Sequence, residues 1–328
     1  MHTLTAYITG TAIITPHGTT LEFTAPPPTT LIQNPQTLRH HHIATVPAHV
    51  TSHLTRQPRL RRASAISLLA AAAAQTAITH AAITPGPRTA LILAVSNGCA
   101  QYTRRFYHQI ITTGAHTASP LLFPETVHNA PASHIAAILG LDGATYTLIG
   151  DGTIGLQALH FAAQLLHIGQ TDHAIIVAAE ESDTILSEAH HHWRLTSPHG
   201  TIHPHRGGGT LLAEGAAAII LAPTGHIKVT TSLGCTATSR RHAPQAMHQA
   251  LIPYQGAHFD HIIDSANGTW TDHPQLQATA PHRHSPKAFI GEAVGASALQ
   301  QLVLAAHQRN TLVTTLGWNQ HAAAALVS

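Results

Sequence analysis

Apolar residues recur along this chain with two spacings, one typical of buried strands and the other typical of helices. Runs dense in β-branched or apolar residues predict strands at 6–14, 89–96, 145–149, 173–179, 211–221, 227–232, 261–264, 311–315 and 322–327. Longer segments of mixed apolar and small residues predict helices at 63–83, 131–139, 154–168, 246–252 and 293–308. Because strands and helices alternate, the pattern favours helices layered on mostly parallel sheets.

Both halves of the chain end in strand–helix–strand units, which indicates a duplicated architecture. The segment from Leu21 to Pro58 differs from the rest. It is rich in proline and threonine and contains three consecutive prolines, Pro26–Pro28, so we expect it to be irregular.

The composition excludes several classes of protein. Apolar residues make up 44% of the 328 residues, enough for a sizeable core and too many for a disordered chain. Charged residues make up 9%, against roughly 25% in ordinary soluble domains. Sixteen basic and fourteen acidic residues leave a net charge of +2, so we expect neither nucleic acid nor an anionic membrane as a partner.

Histidine is the unusual component of the composition. The chain has 31 histidines but only two lysines, Lys228 and Lys287, which we interpret as a general bias against surface lysine rather than as a metal store. The runs His40–His42 and His190–His192 show no fixed ligand spacing, so we expect them to be solvated loops and expect no metal site.

The two cysteines, Cys99 and Cys235, are too few for a disulfide framework and form no CxxC pair. The first ten residues lack the basic and apolar regions of a signal peptide. The uncharged segment 63–83 owes its apolar character mainly to alanine, so it predicts a buried helix rather than a membrane span. These features favour a cytoplasmic protein.

The turn Gly150–Gly155 lies between a predicted strand and a predicted helix, and its spacing fits two functions. Its glycines match G-x-G-x-x-G, in which helix-terminal N–H groups hold a dinucleotide phosphate and Glu180 or Glu181 would bind the ribose. The same turn fits a nucleophile elbow, where a catalytic residue stands at the start of a helix. A dinucleotide-binding protein therefore stays open as an alternative.

Three segments around this turn resemble the core of the β-ketoacyl synthases, enzymes of the thiolase fold: Ala130–Gly143, Tyr146–Gly155 and Gln170–Glu180. Five further segments look like other motifs of that family, each in its expected place: 8–18, 206–216, 266–269, 285–296 and 316–320. The resemblance implies an α/β, thiolase-like layered αβαβα fold built from two duplicated halves. The first half, with the elbow, would span residues 1–225 and the second residues 226–328.

The resemblance also locates the family's catalytic positions. The nucleophilic cysteine falls on Gly152 and the two histidines on Asn267 and Glu292, while Lys287 keeps its identity. A glycine has no side chain to acylate, and neither asparagine nor glutamate replaces a histidine that cycles a proton near neutral pH. A negative Glu292 would also repel a malonyl carboxylate. We therefore expect no ketosynthase chemistry from this chain alone.

A substitute nucleophile would leave an enzyme of the same fold. Asp151 immediately precedes the elbow position Gly152, so we expect its side chain to point in a different direction from that of a nucleophile at Gly152. Cys99 follows the strand at 89–96. A lone cysteine is more often a small buried residue than a nucleophile. An acyltransferase or hydrolase with such non-standard residues stays open as a second alternative.

Members of this family that lack the cysteine include the chain-length factors, non-catalytic partners of a ketosynthase in type II fatty-acid- or polyketide-type biosynthesis. The resemblance implies a heterodimer with a ketosynthase, an acyl carrier protein as a further partner, a homodimer when the chain is alone, and no cofactor. It also implies that the loop Pro120–Ala130 reaches into the partner's acyl tunnel. The residues expected to line the tunnel or interface are Phe123, Thr126, Val127 and Asn129.

Overall fold

The strands of the computed structural model, which describes residues 3–328, form one large sheet and one small one. In chain order they are β1 (Thr3–Ile14), β2 (Thr30–Gln33), β3 (His40–Ala44), β4 (Thr89–Val95), β5 (Thr145–Ile149), β6 (His173–Glu180), β7 (Leu212–Ala213), β8 (Gly215–Ala222), β9 (Ile227–Ser232), β10 (Cys235–Thr236), β11 (His261–Asp264), β12 (His282–His284), β13 (Thr311–Leu316) and β14 (His321–Val327). The predicted strands are confirmed, except that 211–221 divides into β7 and β8.

Ten α-helices accompany the strands within the described residues, and five of them match the predicted segments. The helices are α1 (His49–Ser52), α2 (Ala65–Ala81), α3 (Ala100–Thr113), α4 (Ala130–Leu139), α5 (Ile154–His167), α6 (Thr184–His192), α7 (Ala243–Leu251), α8 (Asp272–Gln275), α9 (Lys287–Ile290) and α10 (Val294–Gln308). The predictions for α2, α4, α5, α7 and α10 are confirmed. The sequence pattern missed α3 and α6, and the segment expected to be irregular contains β2, β3 and α1.

The large sheet repeats one strand order in the two halves of the chain. In the first half the order from the outer edge is β5-β4-β6-β8-β1, and in the second it is β12-β11-β13-β14-β9. In each half the second, third and fourth strands along the chain are parallel, and the fifth is antiparallel to its neighbours. The antiparallel pair β1 and β9 joins the halves. The duplicated architecture expected from the sequence is therefore confirmed. The expectation of mostly parallel sheets is wrong, because six of the ten strand pairs that the structure describes in the large sheet are antiparallel.

Helices cover both faces of the sheet and give five layers, αβαβα. On strand β4, Leu91, Leu93 and Val95 pack with α2 and α4, while alternate residues such as Ile92 face α5 and α10. The cluster around α5 and α10 includes residues from both halves of the sheet, so these two helices form the central layer. Helix α7 covers the far face of the second half. Because β4 is buried on both faces, its run of apolar residues is continuous.

The alanine-rich segment forms α2, as predicted. The side chain of Ser64 caps its first turn by accepting a hydrogen bond from the backbone N–H of Ser67, and most of its alanines are buried. Within residues 3–328, no helix is long and apolar enough to cross a membrane.

Candidate functional site

The turn between β5 and α5 places Gly152 two residues before Ile154, the first residue of α5, at the start of a helix as a nucleophile elbow requires. A Cβ atom added to Gly152 would come no closer than 3.9 Å to any neighbour, the distance to both the Cα of Gly317 and the carbonyl oxygen of Val294. The elbow therefore has room for a side chain, and this sequence places none there.

Gly155, Glu180 and Glu181, the other residues of the dinucleotide-binding pattern, have structural roles inside the fold. A Cβ atom on Gly155 would lie 2.8 Å from the backbone nitrogen of Leu299, so this glycine lets α5 approach α10 closely. Glu180 and Glu181 are 1% and 2% exposed, and their carboxylates accept hydrogen bonds from the backbone N–H groups of Asn97 and Gln101, respectively. The carboxylates that would bind a ribose are thus engaged inside the fold.

Asn267 and Glu292 lie side by side, although one follows β11 and the other precedes α10. The Nδ2 of Asn267 donates a hydrogen bond to Oε2 of Glu292 at 2.7 Å, and Nζ of Lys287 donates to the same oxygen at 2.6 Å. The Oγ of Ser297 donates to the other carboxylate oxygen at 2.7 Å. All four side chains are buried. We call these four residues the Lys287 network; it contains three of the four positions singled out in the sequence.

The Lys287 network modifies the expected electrostatics of the site. Because the ammonium of Lys287 lies 2.6 Å from the Glu292 carboxylate, the pair carries no net charge and the expected repulsion of a malonyl carboxylate is reduced. The Oδ1 of Asn267 accepts from the hydroxyl of Thr269 at 2.7 Å, and that hydroxyl accepts from the indole N–H of Trp318 at 3.2 Å. The hydrogen-bonding capacity of Asn267 and Glu292 is therefore used within the protein.

Two buried aspartates that the sequence analysis missed hold the loops of this site. Asp272 accepts from the backbone N–H groups of Asn267 at 2.8 Å and of Gly268 at 3.0 Å.

Asp264 accepts from Nε2 of His205 at 2.9 Å and from the Arg283 guanidinium at 2.6 Å. Burial alone would raise the pKa of Asp264, but these hydrogen bonds hold it below its ordinary value. For Asp264 the available signal was its place at the end of the predicted strand 261–264. Asp272 had no such signal, because the sequence did not predict α8.

A loop between β13 and β14, residues Gly317–Gln320, lies against the elbow; we call it the closing loop. The backbone N–H of Asn319 donates to Oδ2 of Asp151 at 3.0 Å. The ring of Trp318 lies edge-on to that of His190, with centroids 5.0 Å apart. Burial lowers the pKa of His190. The sequence analysis missed His190 because it interpreted 190–192 as an exposed loop.

Neither candidate for a substitute nucleophile is placed to attack. Cys99 is 3% exposed, and its Sγ lies 3.3 Å from the hydroxyl of Ser64. Burial, with the nearby carboxylates of Glu181 and Glu125, raises the pKa of the Cys99 thiol to about 12, so it carries a proton at neutral pH. Asp151 has both carboxylate oxygens engaged in hydrogen bonds.

The histidine runs are ordered, and the prediction that they are solvated loops is wrong. His40–His42 begin β3 and His190–His192 end α6. His41 is 5% exposed, and its Nε2 lies 2.9 Å from the carboxylate of Glu188, which ties β3 to α6. Within the described residues, no group of three or more histidine, cysteine, aspartate or glutamate side chains is arranged to hold a metal ion.

The segment 120–130 presents most of its side chains to the surface. Phe123 is 55% exposed and Val127 is 39% exposed. Asn129, which precedes α4, is also exposed, and Thr126 is partly buried. These four residues therefore lie on an accessible surface rather than in the core.

Glu125 anchors this exposed segment from below. It is 5% exposed, accepts from the backbone N–H of Ser64 at 2.9 Å and pairs with His134. The ring of Phe106 on α3 lies 5.7 Å from that of Phe123, so a second element supports the exposed ring. The segment is an anchored surface feature with apolar side chains turned outward.

Comparison with known proteins shows the same architecture. Residues 32–226 match the family model of the β-ketoacyl synthase N-terminal domain. The chain is 18% identical to a structure named the ishigamide ketosynthase/chain length factor, with a TM-score of 0.79 over 98% of this chain and 99% of that chain. No curated protein matches the sequence.

Two further solved structures are similar over almost their whole length. One chain from the structure of a type II PKS acyl-carrier protein in complex with its ketosynthase is 13% identical to this chain, with a TM-score of 0.78 over 99% of both chains. A ketosynthase in complex with its chain length factor, from Xenorhabdus doucetiae, is 14% identical, with a TM-score of 0.76 over 99% of this chain and 97% of that chain. At these identities the likeness is one of fold.

Proposed function

This chain belongs to the β-ketoacyl synthase family, and we propose that it is a non-catalytic, chain-length-factor-like subunit that pairs with a β-ketoacyl-ACP synthase in type II fatty-acid- or polyketide-type biosynthesis. One observation carries the proposal: the positions assigned to Cys-His-His hold Gly152, Asn267 and Glu292, and inside the protein Asn267 and Lys287 both donate hydrogen bonds to Glu292. Without an acylatable side chain and without paired imidazoles, the covalent and decarboxylating steps lose their groups.

An exposed apolar surface supports a protein partner. None of the residues of α3 is buried, and its Tyr107 and Ile111 are 57% and 81% exposed. Strand β5 lies at the outer end of the sheet, where Ile149 is 58% exposed. Beside β5, a groove of about 740 Å³ runs along α4. Exposed sheet edges and contiguous apolar surfaces are normally buried against another protein or another part of the chain. We propose that the sheet of a ketosynthase binds here.

The proposed role for the segment 120–130 is to limit the acyl chain made by the partner. Phe123, Thr126, Val127 and Asn129 would face the partner's tunnel or the interface, and the acyl carrier protein would dock on the assembled pair. The exposure of Phe123 and Val127 supports this proposal, because an apolar side chain that enters a partner's tunnel is exposed in the single chain.

Co-expression tests the proposal directly. The chain is co-expressed with each ketosynthase of its organism that keeps the cysteine and both histidines, and the mixture is separated by size-exclusion chromatography. We expect one ketosynthase to co-elute and its product profile to depend on this chain. If every ketosynthase elutes separately and works equally well without the chain, the proposal is wrong.

A single substitution tests the catalytic part of the proposal. Gly152→Cys supplies a thiol where the structure has room for it, yet Asn267 and Glu292 remain. We expect no turnover of malonyl thioester by this variant above that of the unmodified chain. Condensation by the single variant would show that the assigned roles are wrong, with the partner ketosynthase as the positive control.

A further inference from the structure

We infer that Asp151 is a latch that holds the closing loop against the elbow, so that the chain itself restricts access to the position of the missing nucleophile. The proposed loss of catalysis concerns which groups are absent. The latch concerns access to the elbow, and this inference does not depend on whether a ketosynthase partner is found.

Asp151 connects two parts of the chain through its two carboxylate oxygens. Its Oδ1 accepts hydrogen bonds from the backbone N–H of Thr153 at 3.1 Å and from the hydroxyl of Thr153 at 2.9 Å. Its Oδ2 accepts from the backbone N–H of Asn319 at 3.0 Å, across a sequence separation of 168 residues. The side chain is 7% exposed. One oxygen therefore holds the start of α5, and the other holds the closing loop.

Gly317 shows how closely the closing loop is held. A Cβ atom added there would lie 1.7 Å from Oδ2 of Asp151, so a larger residue could not occupy the position without moving the loop or the carboxylate. Gly317 is not in the left-handed region of φ, so its backbone conformation does not itself require glycine. The close approach to Asp151 is thus the reason that glycine is needed. The Cα of Gly317 also lies 3.9 Å from the Cβ position of Gly152.

A second attachment holds the closing loop from the other side. The indole N–H of Trp318 donates to the hydroxyl of Thr269 at 3.2 Å, and its ring packs against His190. Thr269 in turn donates to Asn267 of the Lys287 network at 2.7 Å. The loop is therefore fixed to the elbow by Asp151 and to the Lys287 network by Trp318, while the backbone N–H of Gly317 donates to the carbonyl of His321 at 2.9 Å and closes the turn itself. Releasing Asp151 removes the contact that holds this turn against the elbow.

A cysteine placed at the elbow reports whether the latch is closed. We compare Gly152→Cys with Gly152→Cys/Asp151→Ala and measure the rate of alkylation by iodoacetamide, with peptide mass spectrometry to separate the new thiol from Cys99 and Cys235. We expect at least a tenfold faster reaction in the double variant. Gly152→Cys/Thr153→Ala is the matched control: it removes the hydroxyl bonded to Oδ1 and keeps the bond to Asn319, so it should react as slowly as Gly152→Cys. Equal rates with and without Asp151 would overturn the inference.

A double-substitution cycle gives a second reading that needs no new thiol and no change at Gly152. Thermal unfolding is compared for the unmodified chain, Gly317→Ala, Asp151→Ala and the combination. We expect Gly317→Ala to lower Tm in the chain that keeps Asp151 and to lower it much less in the Asp151→Ala background, because the clash is with that carboxylate. Hydrogen exchange at the Asn319 amide should be at least tenfold faster in both single variants. An equal loss of Tm in the two backgrounds would show that the latch contact does not exist.

Discussion

At the scale of single residues, the most consequential feature is a buried charge pair where the family resemblance places catalytic groups. Lys287 and Glu292 are each 2% exposed, and each supplies the charge that the other needs. A charge of this kind is tolerated inside a protein only while its partner and its hydrogen bonds are present. The pair is therefore a structural element of the fold.

The two lysines of the chain provide a matched test of this pair. Lys287→Met removes the charge at similar length and leaves Glu292 buried without its cation, so we expect the free energy of unfolding to fall by about 3–5 kcal/mol. Lys228→Met removes an exposed lysine on β9 and should change the free energy of unfolding by about 0.5 kcal/mol or less. Urea denaturation of both variants measures the difference. Similar losses for the two substitutions would contradict the structural role of Lys287.

Glu180 makes stability depend on pH. Burial raises its pKa to about 8 from the ordinary 4.5, so the folded protein keeps a proton that the unfolded chain releases between these values. Stability is therefore full below about pH 4.5 and falls as pH rises toward 8, by up to about 1.4 kcal/mol per pH unit. Burial raises the pKa of the adjacent Glu181 to about 7, with the same sign.

We expect Glu180→Gln to flatten the decline in stability between pH 5 and pH 8, because the amide keeps a hydrogen-bond acceptor for the backbone N–H groups but does not titrate. Some slope should remain from Glu181. Urea denaturation at each pH unit measures the slope for both proteins. A slope in the variant equal to that of the unmodified chain would show that Glu180 is not the titrating group.

At the scale of elements, α3 and the segment 120–130 form one surface that the single chain leaves exposed. The rings of Phe106 and Phe123 are in contact, while Glu125 holds the backbone of the segment in place. The anchored backbone means that a substitution at an exposed position changes the shape presented to a partner without removing the support beneath it.

Phe123→Ala should therefore lengthen the product made by the assembled complex. A large side chain at the end of an apolar tunnel excludes methylene groups, each worth about 0.8 kcal/mol of burial. Leu121→Ala, at a neighbouring residue that is 63% exposed, is the control for a general change of the surface. Mass spectrometry of the products measures chain length. If neither Phe123→Ala nor substitutions at Thr126, Val127 and Asn129 change the distribution, the segment does not limit the chain.

At the scale of the whole molecule, the sheet ends at β5 with an exposed edge, and we propose that association continues it. We expect Ile149→Arg, at a residue of β5 that is 58% exposed, to abolish co-elution with the ketosynthase and any homodimer formed by the chain alone. Leu276→Arg is the control: the residue is 46% exposed and directly follows α8 in the second half of the chain, whereas β5 belongs to the first half. Size-exclusion chromatography of both variants tests this. Loss of association in both, or in neither, would contradict the placement of the interface.

The sequence by itself determined the elements that are buried on both faces and the order in which they follow. All seven residues of β4 are buried, and most alanines of α2 are buried, so the apolar pattern and the structural environment agree. The pattern failed for α3, which has no buried residue in the single chain, and for α6, whose histidines resemble a solvated loop until His190 is seen to be buried. Elements whose partners come from distant residues, or lie outside the chain, leave a weak local signal.

The tertiary structure alone decided how the candidate site is connected. Motif order located Gly152, Asn267, Glu292 and Lys287, but it could not show that the last three form one buried network. Nor could it show that Asp151 meets a loop 168 residues away. The physical reason is that these hydrogen bonds join loops from the two halves and from the ends of different strands. Which donor meets which acceptor is set by how α5 and α10 pack between the half-sheets, and local sequence carries no record of that packing.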